Sequence, residues 1–381
     1  MPISAGEIAE LLASLVAIDS VNLDLVPGGA GETRIAWHVA GWLRAAGLEV
    51  DLIDDPPGRP SVVGIARGSG RGRSLMLNAH LDTVGTVGMD APFLPRQEAG
   101  RLYGRGSCDT KAGLAACLLT AREAAAQGWP GDLLIAAVAD EEYASQGTEA
   151  VLRRYRADAA AVIEPTQLGL CVAHKGFVLL EVEAHGRAAH GSRPDLGVDA
   201  IAKMGAFLVQ LAAHDQRLRQ GNGHALLGTG SAHASLIRGG QEFSSYPARC
   251  TLGLERRTIP GEGRESVEEE MAALIERVRS SDADFAAERR TVLAREPFEV
   301  KPDAAVVRLL RHKASGILGH DPAVTGQGGW MDSALMANAG IETVVFGPSG
   351  EGMHAETEWV DLESVRQCAE ILHAAAAEWC A

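Results

Sequence analysis

The chain has 381 residues, of which 46% are hydrophobic and 22% are charged. This length corresponds to two or three domains at about 150 residues each, and the composition excludes both a disordered chain and a small disulfide-stabilised scaffold. Fifty acidic residues against 35 basic ones give a net charge of −15. Because this charge repels nucleic-acid phosphates and anionic membrane surfaces, we expect neither nucleic acid nor membrane as a partner.

The sequence predicts a cytoplasmic location. Its best apolar run, residues 133–139, is much shorter than the roughly 18 residues that a membrane helix needs. Ser4 and Glu7 have capping-box spacing and precede apolar residues at helical intervals, which indicates a surface helix and no export signal. The six cysteines lack the spacing of metal or disulfide pairs, so we expect reduced, buried thiols.

Helical and strand patterns alternate along the first half of the chain. Helices are predicted over residues 32–46 and 112–127, and each is followed by a glycine. Strands are predicted over residues 49–53, 61–66, 74–78, 133–139 and 159–163. This alternation is typical of an α/β fold in which helices flank a mostly parallel sheet.

From residue 176 the pattern changes to that of a smaller α+β domain. Its predicted strands and helices cover residues 177–184, 198–213, 232–238, 249–256 and 265–278. The α/β pattern then returns with predicted elements over residues 304–316, 343–346 and 362–379. We therefore expect a catalytic domain of residues 1–175 and 293–381 that is interrupted by a second domain of residues 176–292.

Acidic residues and histidines lie where the predicted strands of the first domain end. Those that follow a strand directly are His80, Asp82, Glu141, Glu142 and Glu164. Asp109 precedes a helix in a turn marked by glycines, and His354 follows the last strand after a Gly-Pro-Ser-Gly turn. Each residue alone is compatible with a solvated loop, but open α/β sheets bind ligands at the carboxyl ends of their strands. We therefore expect these side chains to converge on one site.

Five of these residues form a possible ligand set for a metal centre: His80, Asp109, Glu142, Glu164 and His354. Imidazole nitrogens and carboxylate oxygens together suit zinc better than calcium or magnesium. A single zinc ion would need about three protein ligands and would leave the others idle. The charge of two divalent ions is balanced by the three carboxylates and one bridging hydroxide, so the set predicts a dinuclear centre.

The adjacent residues Glu141 and Glu142 predict a division of roles. On an extended segment their side chains point to opposite faces, so only one of them readily joins the metals. The other is free to act as a general base. Asp82, two residues after His80, is expected to hold the ring N–H of His80 and so to fix the tautomer that ligates metal.

Ordered motifs along the chain carry a family resemblance: LNAHLDTV around His80, GRGSCDTKAG around Asp109, ADEEYASQGT around Glu141, IEPT around Glu164 and GEGMHAETEWV around His354. They resemble the dinuclear zinc hydrolases that include acetylornithine deacetylase, succinyl-diaminopimelate desuccinylase, aminoacylase and glutamate carboxypeptidase. The resemblance covers nearly the whole chain. It implies a homodimeric amidohydrolase whose inserted domain serves as a lid and dimerisation domain.

The resemblance also implies a distribution of metal ligands. His80 and Glu164 would bind one zinc ion, and Glu142 and His354 would bind the other. Asp109 would bridge the two ions and would be followed by a cis peptide bond. The resemblance further implies that cobalt can substitute for zinc.

Other residues receive their roles through the same resemblance. Glu141 matches the general base. His190 in AAHGSRP matches a histidine that is lent across the dimer as a donor to the tetrahedral oxyanion, with an ordinary histidine at a helix start as the alternative. Arg257 in LERRTIPGE matches a clamp for the substrate carboxylate. Lys175 in AHKG resembles a position near the substrate, with a solvated lysine as the alternative.

The sequence departs from the family pattern in GGWMDSA, where Trp330 and Met331 stand in place of small hydroxyl residues. This departure predicts a larger, more apolar pocket wall and argues against a charged ornithine or diaminopimelate side chain.

The expected function is hydrolysis of the amide of an N-acyl amino acid with a free carboxylate, through a metal-bridging hydroxide. The alternative is a carboxypeptidase or dipeptidase of the same superfamily.

Three other classes of protein are less compatible with the sequence. Ser349 lies in a Gly-Pro-Ser-Gly turn that lacks the G-x-S-x-G spacing of a serine hydrolase. Cys108 lacks the sequence context of a thiol nucleophile. A non-catalytic metal-binding protein would be expected to have lost the base or a ligand, and both are present.

Overall fold

The structure is a computed structural model that describes residues 4–381. It contains two compact units. The first comprises the chain up to Val172 together with Val300–Thr325 and Met331–Ala381, and the second comprises Ala173–Glu299 and Gly326–Trp330. The helices are α1 (Ala5–Val16), α2 (Thr33–Ala45), α3 (Lys111–Gln127), α4 (Gln146–Arg154), α5 (Ala200–Gln220), α6 (Arg264–Ser281), α7 (Ala305–Leu318), α8 (Ser333–Asn338) and α9 (Leu362–Trp379).

The strands are β1 (Glu49–Asp54), β2 (Pro60–Ala66), β3 (Leu75–His80), β4 (Arg96–Glu98), β5 (Arg101–Tyr103), β6 (Leu133–Val138), β7 (Ala159–Val162), β8 (Leu170–His174), β9 (Gly176–His185), β10 (Ser231–Gly239), β11 (Arg249–Thr258), β12 (Ala286–Arg295), β13 (Phe298–Glu299), β14 (Val324–Gln327), β15 (Glu342–Phe346), β16 (Gly350–Glu351) and β17 (Trp359–Asp361).

The first unit is built around a mixed sheet whose strands follow the order β1-β2-β6-β3-β7-β15-β8. The central strands β6, β3, β7 and β15 are parallel, and the pairs toward both edges are antiparallel. The central strands β6, β3 and β7 are buried along their whole length, which explains why they read as short apolar runs. The predicted α/β fold is confirmed.

Helix α3 gives the first unit much of its core, because small apolar side chains cover nearly all of its surface. It packs against α9, α1 and the sheet. It starts directly after Thr110 and ends at Gly128, which adopts a left-handed conformation that caps the helix. The start of α3 therefore fixes the position of Asp109 at the edge of the sheet.

A small antiparallel sheet in the order β16-β17-β5-β4 joins two distant parts of the first unit. Trp359 of β17 pairs with Tyr103 of β5. The backbone N–H of Gly104 donates to the carbonyl oxygen of Glu358 at 3.2 Å. This pairing brings the turn that contains Asp109 next to the segment that follows His354.

The second unit is an antiparallel sheet in the order β10-β11-β9-β12, packed against α5 and α6. Burial alternates residue by residue along β9 and β11, as expected for strands with one face on a core. This unit also includes Gly326–Trp330, a segment that the sequence assigned to the first domain. The reason is that the Trp330 ring packs edge-on against Phe177, and its indole N–H donates to the carbonyl oxygen of Glu296.

Several elements have no clear sequence signal. Helix α4 is short and polar, and strand β12 carries charged residues on an exposed face, so neither shows an apolar run.

Ser4 caps α1 as expected, since its hydroxyl accepts from the N–H of Glu7 at 3.2 Å. Within residues 4–381, no helix combines the length and the apolar character needed to cross a membrane.

Candidate metal centre and catalytic residues

The carboxylate of Asp109 lies between two imidazoles. Its Oδ1 is 3.0 Å from Nε2 of His80, and its Oδ2 is 3.4 Å from Nε2 of His354. The two oxygens of one side chain therefore face two different histidines. The peptide bond between Asp109 and Thr110 is cis.

Two three-residue groups meet at this carboxylate. One is formed by His80, Asp109 and Glu164, the other by Asp109, Glu142 and His354. In each group the potential ligand atoms lie within 4.8 Å of one another. The structure therefore brings together all five residues that the sequence named as candidate metal ligands.

The order of the central strands explains this convergence. His80 ends β3, and Glu142 and Glu164 follow its parallel neighbours β6 and β7. The carboxyl ends of parallel neighbours meet at one edge of a sheet, so three candidate ligands lie together there. Local sequence patterns are therefore sufficient to predict this placement. His354 reaches the site from a loop, where its own backbone has φ of +61°.

The hydrogen-bond acceptor that fixes the tautomer of His80 differs from the predicted one. Nδ1 of His80 lies 2.9 Å from the backbone carbonyl oxygen of Asp82, whereas the nearest carboxylate oxygen of Asp82 is 3.6 Å away. The ring N–H therefore donates to the carbonyl, which leaves Nε2 free to ligate. The expected hydrogen bond to the Asp82 side chain was wrong, because that side chain is engaged elsewhere.

The Asp82 carboxylate instead holds the segment that carries the two glutamates. Its oxygens accept the backbone N–H groups of Glu141 and Glu142, each at 3.1 Å. The side-chain amide of Asn22 donates to Asp82 at 2.7 Å and to Asp140 at 3.1 Å. Asp82 thus orients the backbone of the candidate base and of a candidate ligand at once.

The electrostatics of the site follow from burial and from the crowding of carboxylates. Burial raises the pKa of Glu141 and of Glu164 well above the ordinary value, and neighbouring carboxylates add to the rise. Hydrogen bonds to Asp109 and Glu142 raise the pKa of His354 to about 10. Burial alone would raise the pKa of Asp109, but its hydrogen bonds with His354 and His80 hold it below the ordinary value.

The residues present fit divalent metal ions. Two imidazole nitrogens and three carboxylates form the mixed nitrogen and oxygen donor set that zinc accepts. Oε1 of Glu142 is buried and has no hydrogen-bond partner among the described residues. A buried oxygen without a partner is costly unless it binds a cation, so this atom supports the assignment of Glu142 as a ligand.

The three residues predicted to contact substrate belong to the second unit, whereas the candidate metal ligands belong to the first. Arg257 on β11 pairs with Glu255 at 2.8 Å and has its guanidinium over the ring of Phe177. The ammonium of Lys175 donates to the carbonyl oxygen of Thr229 at 2.7 Å, and burial and Arg257 lower its pKa. Lys175 is therefore not simply a solvated lysine.

His190 is exposed and does not begin a helix, because α5 starts at Ala200. Its Nδ1 lies 3.2 Å from the backbone nitrogen of Ser192, whose N–H it accepts. Nδ1 also lies 2.8 Å from the hydroxyl oxygen of Ser192, so these contacts engage Nδ1 and not Nε2.

Cys108 and Ser349 are the residues considered for a thiol or serine nucleophile, and their surroundings differ from those of a nucleophile. The Cys108 thiol is fully buried, and burial raises its pKa, which opposes thiolate formation. The backbone of Ser349 is tied to the hydroxyl of Ser364 on both sides, at 2.8 and 3.2 Å. All six cysteines of the chain are free and buried.

Sequence reasoning missed several buried charged residues around the site: Arg59, Arg105, Asp140, Asp332 and Glu358. Arg105, Asp140 and Glu358 lie inside motifs that carry a candidate ligand, and this position is their only sequence signal. Arg59 lies outside these motifs, and Asp332 lies in GGWMDSA, which carries no candidate ligand. A position in the sequence does not identify the ion-pair partners of these residues, since the partners lie far away in the sequence.

A sheet with imidazoles and carboxylates at the carboxyl ends of its central strands defines the chain as an α/β protein with a candidate metal centre. It belongs to the peptidase family M20/M25/M40, whose family model matches residues 76–378. An acetylornithine deacetylase from Myxococcus xanthus is 33% identical over 353 residues, which cover 89% of this chain and 90% of that protein.

Two further similarities extend over at least 97% of the chain. An N-formyl-4-amino-5-aminomethyl-2-methylpyrimidine deformylase from Bacillus subtilis is 28% identical, covering 97% of this chain and 95% of that protein. The crystal structure of a tripeptidase from Staphylococcus aureus has a TM-score of 0.81 at 21% identity, with complete coverage of both chains. The predicted family and fold are confirmed.

Proposed function

We propose that this protein hydrolyses the amide bond of an N-acyl amino acid that carries a free carboxylate, with two divalent metal ions bound per chain. The observation that carries the proposal is the Asp109 carboxylate, whose two oxygens face His80 and His354 at 3.0 and 3.4 Å. The similarity to acetylornithine deacetylase and to a deformylase favours removal of an acyl group over cleavage of a longer peptide.

The proposed ligands are His80 and Glu164 for one ion, Glu142 and His354 for the other, and Asp109 for both. Zinc is the proposed native metal, with cobalt as a substitute. Bound there, the two ions would make water a nucleophile at neutral pH and would polarise the amide carbonyl.

Glu141 is the proposed general base. Its backbone is held by Asp82, and burial raises the pKa of its carboxyl group, which favours uptake of a proton by this side chain. It would take a proton from the attacking water and pass it to the nitrogen of the leaving amine. This assignment leaves Glu142, its neighbour, as the ligand.

The second unit supplies the proposed contacts to substrate. Arg257 would bind the free carboxylate, with Lys175 nearby as a second cation. His190 would donate from Nε2 to the oxyanion of a neighbouring subunit. The Trp330 ring, which packs against Phe177 and His174, would favour an apolar or aromatic group over a charged side chain.

We further propose a homodimer formed through the second unit, and a cytoplasmic location. Strand β10 forms one edge of its sheet and exposes Leu236 and Ile237. An exposed apolar edge strand can pair with the same strand of a second copy, which gives a symmetric interface. The free, buried cysteines are consistent with a reducing compartment.

Amine release from a panel of N-acyl amino acids and dipeptides by the zinc-loaded or cobalt-loaded protein tests the activity. We expect turnover of N-acyl amino acids to exceed turnover of dipeptides, and elemental analysis to find two metal equivalents per chain. Preference for dipeptides would support the peptidase alternative. Retention of two tightly bound ions by Asp109→Ala would contradict the bridging role.

A further inference from the structure

The side chains of Glu358 and Arg105 form a buried ion pair beside the candidate metal centre. They are 1% and 2% exposed, and Nη1 of Arg105 donates to Oε2 of Glu358 at 2.6 Å. Neither residue has a role in the proposed chemistry. Burying two charges is expensive, so the pair is retained only where its geometry is good and further hydrogen bonds satisfy it.

The carboxylate of Glu358 accepts several hydrogen bonds from the turn that contains Asp109. Its carboxylate accepts the backbone N–H of Gly106 at 2.9 Å, of Cys108 at 2.9 Å and of Asp109 at 3.0 Å. Together with Arg105, four donors converge on one carboxylate. Each carboxylate oxygen accepts two of these hydrogen bonds. The amide of a glutamine would replace one of these oxygens with an NH2 group, whose own hydrogens would face two N–H donors.

Arg105 reaches from the same turn to the loop that carries His354. Its Nη2 donates to the carbonyl oxygen of Ala355 at 3.0 Å, and its Nε donates to that of Gly85 at 3.0 Å. Ala355 directly follows His354, whose side chain is 57% exposed. The guanidinium therefore holds the backbone of an exposed loop residue at a fixed distance from the turn of Asp109.

We propose that Glu358 and Arg105 are positioning residues that set the separation of Asp109 and His354, and with it the affinity for metal. The inference rests on the proposed two-metal function. Glu358 acts through Asp109, which belongs to both ligand groups, so its loss should weaken both ions. Arg105 acts in addition through His354, which belongs to one group only.

The test is a cobalt titration of metal-free protein, followed by absorption spectroscopy and by equilibrium dialysis. The wild type should bind two ions. Arg105→Lys keeps a cation beside Glu358 but loses the fork that reaches Ala355, so one ion should bind about 10 to 100-fold more weakly while the other changes little. In Glu358→Gln both ions should bind more weakly by a similar factor.

A matched control separates positioning from general loss of stability. Arg256, which is buried, and Glu270, which is partly buried, form another ion pair in the second unit, with a 3.0 Å contact between Nε and Oε2. Glu270→Gln should lower the thermal unfolding midpoint without changing cobalt binding. If Glu358→Gln does not fold, Arg105→Lys decides the question.

The outcomes distinguish this inference from the proposed function. A wild type that binds two ions, with folded variants that bind both as tightly, would overturn the positioning role alone. A wild type that binds fewer than two ions would overturn the two-metal function and this inference with it.

Discussion

At the scale of single residues, the site depends on buried charges that are compensated across long stretches of sequence. Arg59 is 5% exposed and binds Glu32 through two nitrogens, at 2.6 and 2.8 Å. It also donates to Asp140 at 3.0 Å, and Asn22 links Asp140 to Asp82. This network lies directly behind the backbone of Glu141 and Glu142. Its integrity therefore bears on both stability and catalysis.

Glu141→Gln should lower kcat by about 100 to 10,000-fold, because general base catalysis contributes that much. The side chain keeps its size, and the metal ligands are untouched, so metal content should remain at the wild-type value. Steady-state kinetics and elemental analysis of the same preparation provide the measurement. Unchanged turnover would exclude Glu141 as the base.

Arg59→Met should destabilise the protein by about 3 to 5 kcal/mol, since it leaves Glu32 and Asp140 as buried charges without their cation. Arg67→Met is the matched control. Arg67 also binds two carboxylates, Glu49 and Asp132, but its side chain is half exposed. Its loss should cost less than about 1 kcal/mol. Urea unfolding of both variants measures the difference, and equal costs would show that the Arg59 network contributes no more than a surface pair.

At the scale of secondary-structure elements, the two edges of the second unit's sheet differ in composition. Strand β10 presents Leu236 and Ile237, which are exposed by 63% and 54%, next to each other. Strand β12, at the opposite edge, presents mainly charged residues around Val292. Charged side chains on an edge discourage pairing with another chain, whereas apolar ones permit it. The proposed dimer therefore uses β10.

Ile237→Lys should weaken dimerisation, because it puts a charged side chain in place of an exposed apolar one on the edge strand of the proposed interface. Val292→Lys introduces the same charge at the other edge and should leave the dimer intact. Sedimentation velocity over a range of protein concentrations measures both. A larger effect of Val292→Lys would assign the interface to β12, and a monomeric wild type would contradict the dimer itself.

At the scale of the whole molecule, the proposed active site draws its metal ligands and its oxyanion donor from separate units. The metal ligands and Glu141 belong to the first unit, and His190 belongs to the second. The exposed ring of His190, with Nδ1 accepting from Ser192, is available to a neighbouring molecule. A donor shared across a dimer would make each subunit's activity depend on its partner.

His190→Ala alone should lower kcat by about 100 to 1,000-fold, the usual effect of losing one oxyanion donor. Mixing inactive His190→Ala protein with inactive Glu141→Ala protein should restore part of the activity. In a mixed dimer one site receives the base from one chain and the histidine from the other. If subunit exchange is verified and the mixture stays inactive, His190 does not act in trans.

The sequence by itself determined the central sheet and the candidate ligands on it. His80, Glu142 and Glu164 end or follow short apolar runs that are typical of buried strands, and the carboxyl ends of parallel strands lie at one edge of the sheet. Helix α3, with its long apolar pattern and its terminal Gly128, was equally predictable. These features are local, so a short window of residues contains the whole signal.

Only the tertiary structure decided how those ligands are held. The carboxylate of Asp82 accepts backbone N–H groups of the glutamate segment, and the His80 ring is held by the backbone carbonyl of Asp82 instead, because β3 and β6 lie side by side in the sheet. Arg105 and Glu358 meet across 253 positions of sequence. Helix α4 and strand β12 lack an apolar run and take their conformation from what they pack against. A local pattern records which residues must be buried, but the partner of a buried charge is selected by the fold.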